Sequence, residues 1–215
     1  MNDSTKDLLL NAAVEVFASK PFHDATIAEI CGQAGANGAA VNYHFGSKES
    51  LLGEAIMRAF EVAEESYPLD GKLAPSASAA DRLKVFMEAI ILRSFDPGPA
   101  GQFERIMGHE MGARARQDRA TAAKFRKIHD KVLDPIVKDL IRPQSKAELV
   151  QARVGIISLC VFQNTVPGLH EALFPSGRTK AALRSYVDSR VAFALAGLKT
   201  ISKKTICKPS TTSVS

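Results

Sequence analysis

The 215-residue sequence predicts an all-α protein. Three observations predict it. Apolar residues recur at spacings of three and four in one run after another, the period of helices with one buried face. Breaks rich in proline and glycine separate the runs: Pro21, the stretch 68–78, Asp96-Pro-Gly-Pro99, Arg142-Pro143, Pro167-Gly168 and Phe174-Pro-Ser-Gly177. No segment has the strict alternation of a strand, and no internal repeat is visible. About nine helices follow, in an N-terminal head and a C-terminal body.

The first helix is expected over residues 5–19. Ser4 and Asp7 offer a capping pair, Leu9, Ala12, Ala13, Val16 and Phe17 form its inner face, and Pro21 ends it. Two short helices joined by a tight turn come next, within 26–46. Thr26 can cap the first, with Glu29 three residues on reaching back, and Ile27, Ile30 and Cys31 give it an apolar stripe. Gly35 sits where a helix must end with positive φ. Asn37 can cap the second, which carries Val41 inward and Asn42, Tyr43 and His44 outward until Gly46 stops it. Ser47 caps a longer helix over 48–66, with Leu51, Leu52, Ala55, Ile56, Ala59 and Phe60 at helical spacing.

The break at 68–78 marks the boundary between a head, residues 1–67, and a body, residues 78–200. Body helices are expected over 80–94 (Leu83, Phe86, Met87, Ile90, Ile91 inside), 102–114, 119–141, 146–165 and 179–198. Pro135 should kink or interrupt the third of these. Val150, Val154, Ile157, Cys160 and Val161 give the 146–165 helix a broad apolar face. The last helix carries Leu183, Tyr186, Val187, Val191, Phe193, Ala194 and Leu198. The tail 201–215, rich in Lys, Ser and Thr, is expected to be disordered.

The pair of short helices at 26–46 reads as a helix-turn-helix, in which the second helix enters the DNA major groove. Small Cys31, turn Gly35 and aliphatic Val41 have the spacing that lets the two helices pack at their elbow. The string Val41-Asn-Tyr-His-Phe-Gly-Ser-Lys-Glu-Ser-Leu51 closely resembles the recognition-helix signature of the TetR/AcrR family of bacterial repressors, and the resemblance runs from about Thr5 to Leu52. It implies a DNA-binding head, a body that binds a ligand and dimerises, and release from DNA when the ligand binds. By the same resemblance, Tyr43, His44 and Lys48 contact the DNA backbone, Lys48 together with the amides of a helix N-terminus. Thr26, at the start of its helix, can add a similar bond. Asn37, Gly38, Ala39, Ala40 and Asn42 face the groove. Asn42 is the best base reader, because its amide can pair bidentately with adenine, and the two alanines can meet thymine methyls. Many family members carry larger polar residues where this chain has Gly38, Ala39 and Ala40, so DNA shape, backbone contacts and contacts from the first helix of the pair are expected to take a greater share here.

The body carries a second constellation. Phe103, Met107 and Met111 share one helical stripe, with His109 and Glu110 beside them; Gln163 and Asn164 end the 146–165 helix, and His170 follows the Pro-Gly turn. Flexible methionine, an aromatic and a few polar groups suit an adaptable small-molecule pocket, formed by Phe103, Met107, Glu110, Met111, Gln163, Asn164 and His170. Each apolar member also fits an ordinary core position. The apolar stripes of the 146–165 and 179–198 helices suit a two-fold interface, so a homodimer is expected, with Val191 and Phe193 as candidate contacts that each fit an intramolecular core position nearly as well.

The chain's net charge of +5 and pI near 9.2 suit a nucleic-acid partner, here double-stranded DNA. Their distribution does not point to the head, however. Residues 1–60 hold four basic residues (Lys6, Lys20, Lys48, Arg58) against seven acidic ones (Asp3, Asp7, Glu15, Asp24, Glu29, Glu49, Glu54), a net of −3. The basic excess is densest over 114–131, the chemistry of a solvated helix face or of a flank drawn to phosphates. Cys31, Cys160 and Cys207 are far apart and odd in number, which argues against a disulfide framework and for the reducing cytoplasm. No run approaches the roughly 18 apolar residues of a membrane span, and the N-terminus lacks a signal-peptide pattern. His109, Glu110, His129 and His170 fit no zinc spacing, and no nucleotide loop or nucleophile triad is present, so neither metal nor cofactor is expected and the chain is not read as an enzyme. The sequence therefore leads to a ligand-responsive repressor. Control by a protein partner, or a helical enzyme such as a transferase, are the alternatives it leaves.

Overall fold

A computed structural model describes residues 4–74, 76–112, 119–165, 167–173 and 179–202. Among them there are ten α-helices and no strand: α1 Thr5–Ser19, α2 Ile27–Ala34, α3 Gly38–Phe45, α4 Lys48–Ser66, α5 Ala79–Phe95, α6 Gln102–Gly112, α7 Arg119–Ile141, α8 Lys146–Thr165, α9 Pro167–Leu173 and α10 Lys180–Ser202, with a 3-10 turn at Pro99–Gly101 ahead of α6. The tenth helix is α9. The Pro-Gly step ends α8 but also starts a new helix, since proline at the first helical position has no N–H to waste. α10 takes in Ile201 and Ser202; the rest of the predicted tail lies outside the described residues, as does Cys207.

Local chemistry sets the helix starts. The side chains of Ser4, Thr26, Asn37, Ser47 and Ser78 each accept from the backbone N–H three residues on, satisfying a donor that the first turn leaves open. α7 runs on through Pro135. Pro135 and Lys131, whose carbonyl loses its partner, both lie on the exposed side, where water can replace the missing bond.

α1 packs on α2, α4 and α6, and α5 packs on α7, α8 and α10. The predicted inner faces of α1, α4 and α5 are buried, apart from half-buried Leu52. One connected core runs from Leu9 on α1 to Leu198 on α10. The break at 68–78 belongs to it: Leu69 is buried and its N–H donates to Glu64 Oε1 at 3.1 Å.

On α8 the predicted inner face is displaced. Ala152, Ile156, Cys160 and Gln163 point into the protomer, while Val154 is 60% exposed and Val150 36% exposed. α10 divides in the same way, with Val187, Val191, Ala194 and Leu198 inside and Phe193 70% exposed. Val191 is thus a core residue, not an interface contact. Sequence periodicity finds apolar stripes but cannot say whether one chain or two will cover them.

Candidate DNA-binding surface and effector site

The head is built around the elbow between α2 and α3. Gly35 caps α2 in the left-handed region, at φ 64° and ψ 29°, where a side chain would be strained. Its neighbour Ala36 donates back to Cys31 O at 2.9 Å. Buried Cys31 lies with Sγ 3.5 Å from the Asn37 carbonyl, so the thiol ties the two helices together as well as filling the elbow. Burial pushes that thiol's pKa up, which keeps it protonated as a donor. Val41 and Phe45 plug α3 into the head core.

That anchoring turns the rest of α3 outward. Asn42 and Tyr43 are exposed, Tyr43 by 85%. Gly38 and Ala39 are exposed, and Ala40 is half-buried against the core. Asn37 Oδ1 accepts from the Ala40 N–H at 3.1 Å, so the carbonyl half of that side chain is committed to capping. Thr26 Oγ1 is committed in the same way to the Glu29 N–H. His44 is half-buried, with its ring edge-on to Tyr43 at 4.9 Å. Lys48, the first residue of α4, donates from Nζ to the Phe22 carbonyl and stands 4.2 Å from the centre of the Phe22 ring.

In the body, the predicted pocket residues fall into two groups. Gln163 and Asn164 come together in a buried polar network between α5, α6, α8 and α10. Both donate to Ser94 Oγ, at 3.1 and 2.8 Å; Asn164 also donates to Glu104 Oε2 at 3.2 Å, and Tyr186 donates to Gln163 Oε1 at 3.3 Å. Burial pushes the Glu104 carboxyl up to about 7, against the opposing pull of the Arg93 charge and the Asn164 bond. Buried His170 stands among the rings of Phe95, Phe162 and Tyr186, at 5.5–6.1 Å, and burial followed by the Arg190 charge lowers its pKa. Phe103 is buried edge-on against Phe60 at 5.3 Å, and Met107 is half-buried.

Glu110 faces elsewhere. Its Oε1 accepts from the Phe22 N–H at 3.3 Å, so it is turned toward the head and not toward this network. His109 lies beside it, with Nε2 3.3 Å from the Ala18 carbonyl. The side chain of Met111 lies outside the described residues, as do those of the basic stretch 114–131 except Asp130 and Lys131. Among the described residues no cluster of His, Cys, Asp and Glu is placed to hold a metal, and no helix is long and apolar enough to cross a membrane.

Residues 9–55 match the family described as bacterial regulatory proteins, tetR family. Across 174 residues the chain is 32% identical to the HTH-type transcriptional repressor NicS of Pseudomonas putida, covering 76% of this chain and 77% of that one. The chain belongs to the TetR family. The likeness of fold extends over most of the chain. The transcriptional regulator FadR from Bacillus subtilis, solved with stearoyl-CoA, superposes with a TM-score of 0.67 at 18% identity over 88% of this chain and 97% of its own. A TetR-like regulator from Rhodococcus sp. RHA1 superposes at 0.61 with 19% identity, over 91% and 96%.

Sequence reasoning missed four residues that make the polar contacts of the body network or neighbour them: Arg93, Ser94, Glu104 and Tyr186. Arg93 is wholly buried and pairs with Glu64 at 2.6 Å. Only Glu104 left a signal, as a carboxylate beside Phe103 in a run otherwise destined for the core. Phe22 carries no signal in the sequence, yet it is contacted by both α6 and α4.

Proposed function

We propose that this TetR-family protein is a repressor that binds a palindromic operator as a homodimer and leaves it when a small-molecule effector occupies the body. The observation that carries the reading is the presentation of α3: Val41 and Phe45 are anchored while Asn42 and Tyr43 stand free. In this reading the head is 1–67 and the body 78–200. Tyr43, His44, Lys48 and Thr26 hold phosphates, and Asn37, Gly38, Ala39, Ala40 and Asn42 meet the groove, with Asn42 reading a base. Double-stranded DNA as a partner implies the cytoplasm.

Dimerisation is supported by an apolar groove of about 680 Å³ between α8 and α10, lined by Gly155, Leu159, Phe162, Phe193, Gly197 and Ile201. Its glycines let helices approach closely, and exposed Phe193 is the large side chain a second copy would cover. An effector enclosed by α5–α8 would re-pair the buried donors and acceptors of Ser94, Glu104, Gln163 and Asn164, with Phe103 and Met107 as apolar wall. A neighbour of the same fold holds stearoyl-CoA, which supports a body that accepts a small molecule. Release then requires the effector to bind the off-DNA conformation more tightly, and DNA must weaken effector binding by the same factor.

Duplexes selected by the protein from a random-sequence library supply the test. Enrichment should yield a two-fold symmetric site. Tyr43→Ala should weaken binding to all variants of that site alike. Asn42→Ala should relax preference at one or two base pairs, by roughly 1–3 kcal/mol. Unchanged preference in Asn42→Ala removes it as a base reader, and failure to enrich any sequence removes the operator reading.

A further inference from the structure

Phe22 lies in the loop between α1 and α2 and is held at both ends. Its N–H donates to Glu110 Oε1 on α6, at 3.3 Å. Its carbonyl accepts from Lys48 Nζ on α4, and its ring lies under the same ammonium at 4.2 Å. The loop around it is tight. The amides of Asp24 and Ala25 both close on the Pro21 carbonyl, and the Phe22 ring stacks on buried Phe17 at 6.1 Å. His109 Nε2, 3.3 Å from the Ala18 carbonyl, fixes the other side of the α6 contact.

This arrangement is a costly way to pack a body against a head. Glu110 is only 6% exposed, and a buried carboxylate loses hydration that an apolar residue would not. It recovers part of that through a charge-assisted bond to one amide, whose direction is specific. On the far side, a lysine ammonium has three donors. One is spent on the Phe22 carbonyl, and the aromatic face orients the rest. The ammonium is thereby held by both the carbonyl and the ring of Phe22.

We infer that Glu110 is a positioning residue for DNA binding: it holds Phe22 so that the Phe22 carbonyl and ring fix the Lys48 ammonium, and it carries the position of α6 to a phosphate contact. The inference rests on the reading of Lys48 as a phosphate contact. The route back to the body is short. A Cβ on Gly108 would stand 2.8 Å from the Asn164 carbonyl oxygen, so α6 lies directly on α8 two residues before Glu110. A displacement of α6 away from α8 would therefore carry the Glu110 carboxylate with it.

The test uses the full chain and a duplex recovered by selection from a random library, with affinity measured across a series of salt concentrations. Lys48→Ala should lower the slope of log affinity on log salt by about 1.8, the loss of one phosphate contact from each protomer of the dimer. Glu110→Ala should lower the slope by up to the same amount. Glu110→Asp, which keeps the charge but falls one methylene short of Phe22, should match it and takes its place if Glu110→Ala does not fold by thermal melting. Glu110→Gln, whose side-chain carbonyl can still accept, should restore the wild-type slope. In a Lys48→Ala background Glu110→Asp should cost nothing further, because the two residues act in series. Additive losses, a wild-type slope in Glu110→Asp, or a Glu110→Gln as impaired as Glu110→Asp would overturn the inference. If Lys48→Ala itself leaves the slope unchanged, the phosphate reading of Lys48 fails and the inference falls with it. A lowered slope in Lys48→Ala with an unchanged one in Glu110→Asp removes the inference alone.

Discussion

Arg93 Nε donates to the Tyr67 carbonyl at 3.0 Å, closing the C-terminal end of α4 with a guanidinium that is wholly buried on α5. The last carbonyls of a helix lack partners within it, and this one is satisfied from the body. Arg93 Nη2 also reaches Glu64 Oε2, and the guanidinium lies 5.4 Å from the Phe60 ring. One planar fork thus binds Glu64 on α4 and the Tyr67 carbonyl that caps it, at the end of the helix that starts at the candidate DNA surface. Arg93→Met should cost about 3 kcal/mol in urea unfolding, because it takes a donor from the partly buried Tyr67 carbonyl and breaks the pair with Glu64. Arg93→Lys should recover only part, since one ammonium cannot reproduce the fork. A wild-type midpoint in Arg93→Met would mean that α4 is held by its apolar contacts alone.

The carboxyl of Glu104 sets a pH dependence whose sign follows from the direction of its shift. Burial raises it from an ordinary value of 4.5 to about 7. Below 4.5 it is protonated in both folded and unfolded chains and costs nothing. As pH rises, the unfolded chain gives up the proton first, so folding stability falls between pH 4.5 and 7 and levels off above. The total is about 3 kcal/mol, at about 1.36 kcal/mol per unit. Glu104→Gln keeps an acceptor for Asn164 and removes the titration. Unfolding free energy measured from pH 4.5 to 8 should converge on a smaller slope in the variant, and identical slopes would show that Glu104 ionises in the folded chain as it does in the unfolded one.

The division of apolar side chains on α8 and α10 separates assembly from folding. Val154 and Phe193 are exposed, whereas Val187 is buried at 2%. The double substitution Val154→Asp with Phe193→Asp should give a folded monomer, because neither charge has to enter the protomer core. Val187→Asp should unfold the chain instead, since it places a lone charge inside. Sedimentation together with circular dichroism separates these outcomes. A folded dimer from the double variant would move the interface away from the α8–α10 groove.

Local rules made most of the head legible. The caps at Ser4, Thr26, Asn37 and Ser47 and the left-handed glycine at 35 act within four residues of themselves, so their spelling survives without tertiary context. The outward set on α3 followed from the inward pair Val41 and Phe45. In the body the controlling contacts join residues far apart in sequence: Asn164 with Glu104, Arg93 with Tyr67, Phe22 with Glu110. No spacing announces these. Glu110 and Gln163 look alike in the sequence, as polar residues beside an apolar stripe. One faces the head and the other the body network, and only the packing of α6 on α1 and α8 decides which.

Gly108 offers a direct probe of control by the body. Its α-carbon faces the α8 backbone so closely that the Cβ of Gly108→Ala would meet the Asn164 carbonyl oxygen at 2.8 Å. Backbone cannot rotate away as a side chain can, so α6 and α8 must separate by a few tenths of an ångström or more. If an effector works by prying these helices apart, the added methyl should imitate it. Operator affinity without effector should fall roughly tenfold, about 1.4 kcal/mol, with folding stability reduced by about 1–3 kcal/mol, the usual cost of overpacking. Met107→Trp, one residue away on half-buried surface, should instead block effector entry and leave operator affinity near wild type. Anisotropy titrations on the selected duplex compare the two. A Gly108→Ala protein that remains folded and binds DNA with undiminished affinity would mean that the α6–α8 contact does not set the spacing of the two heads.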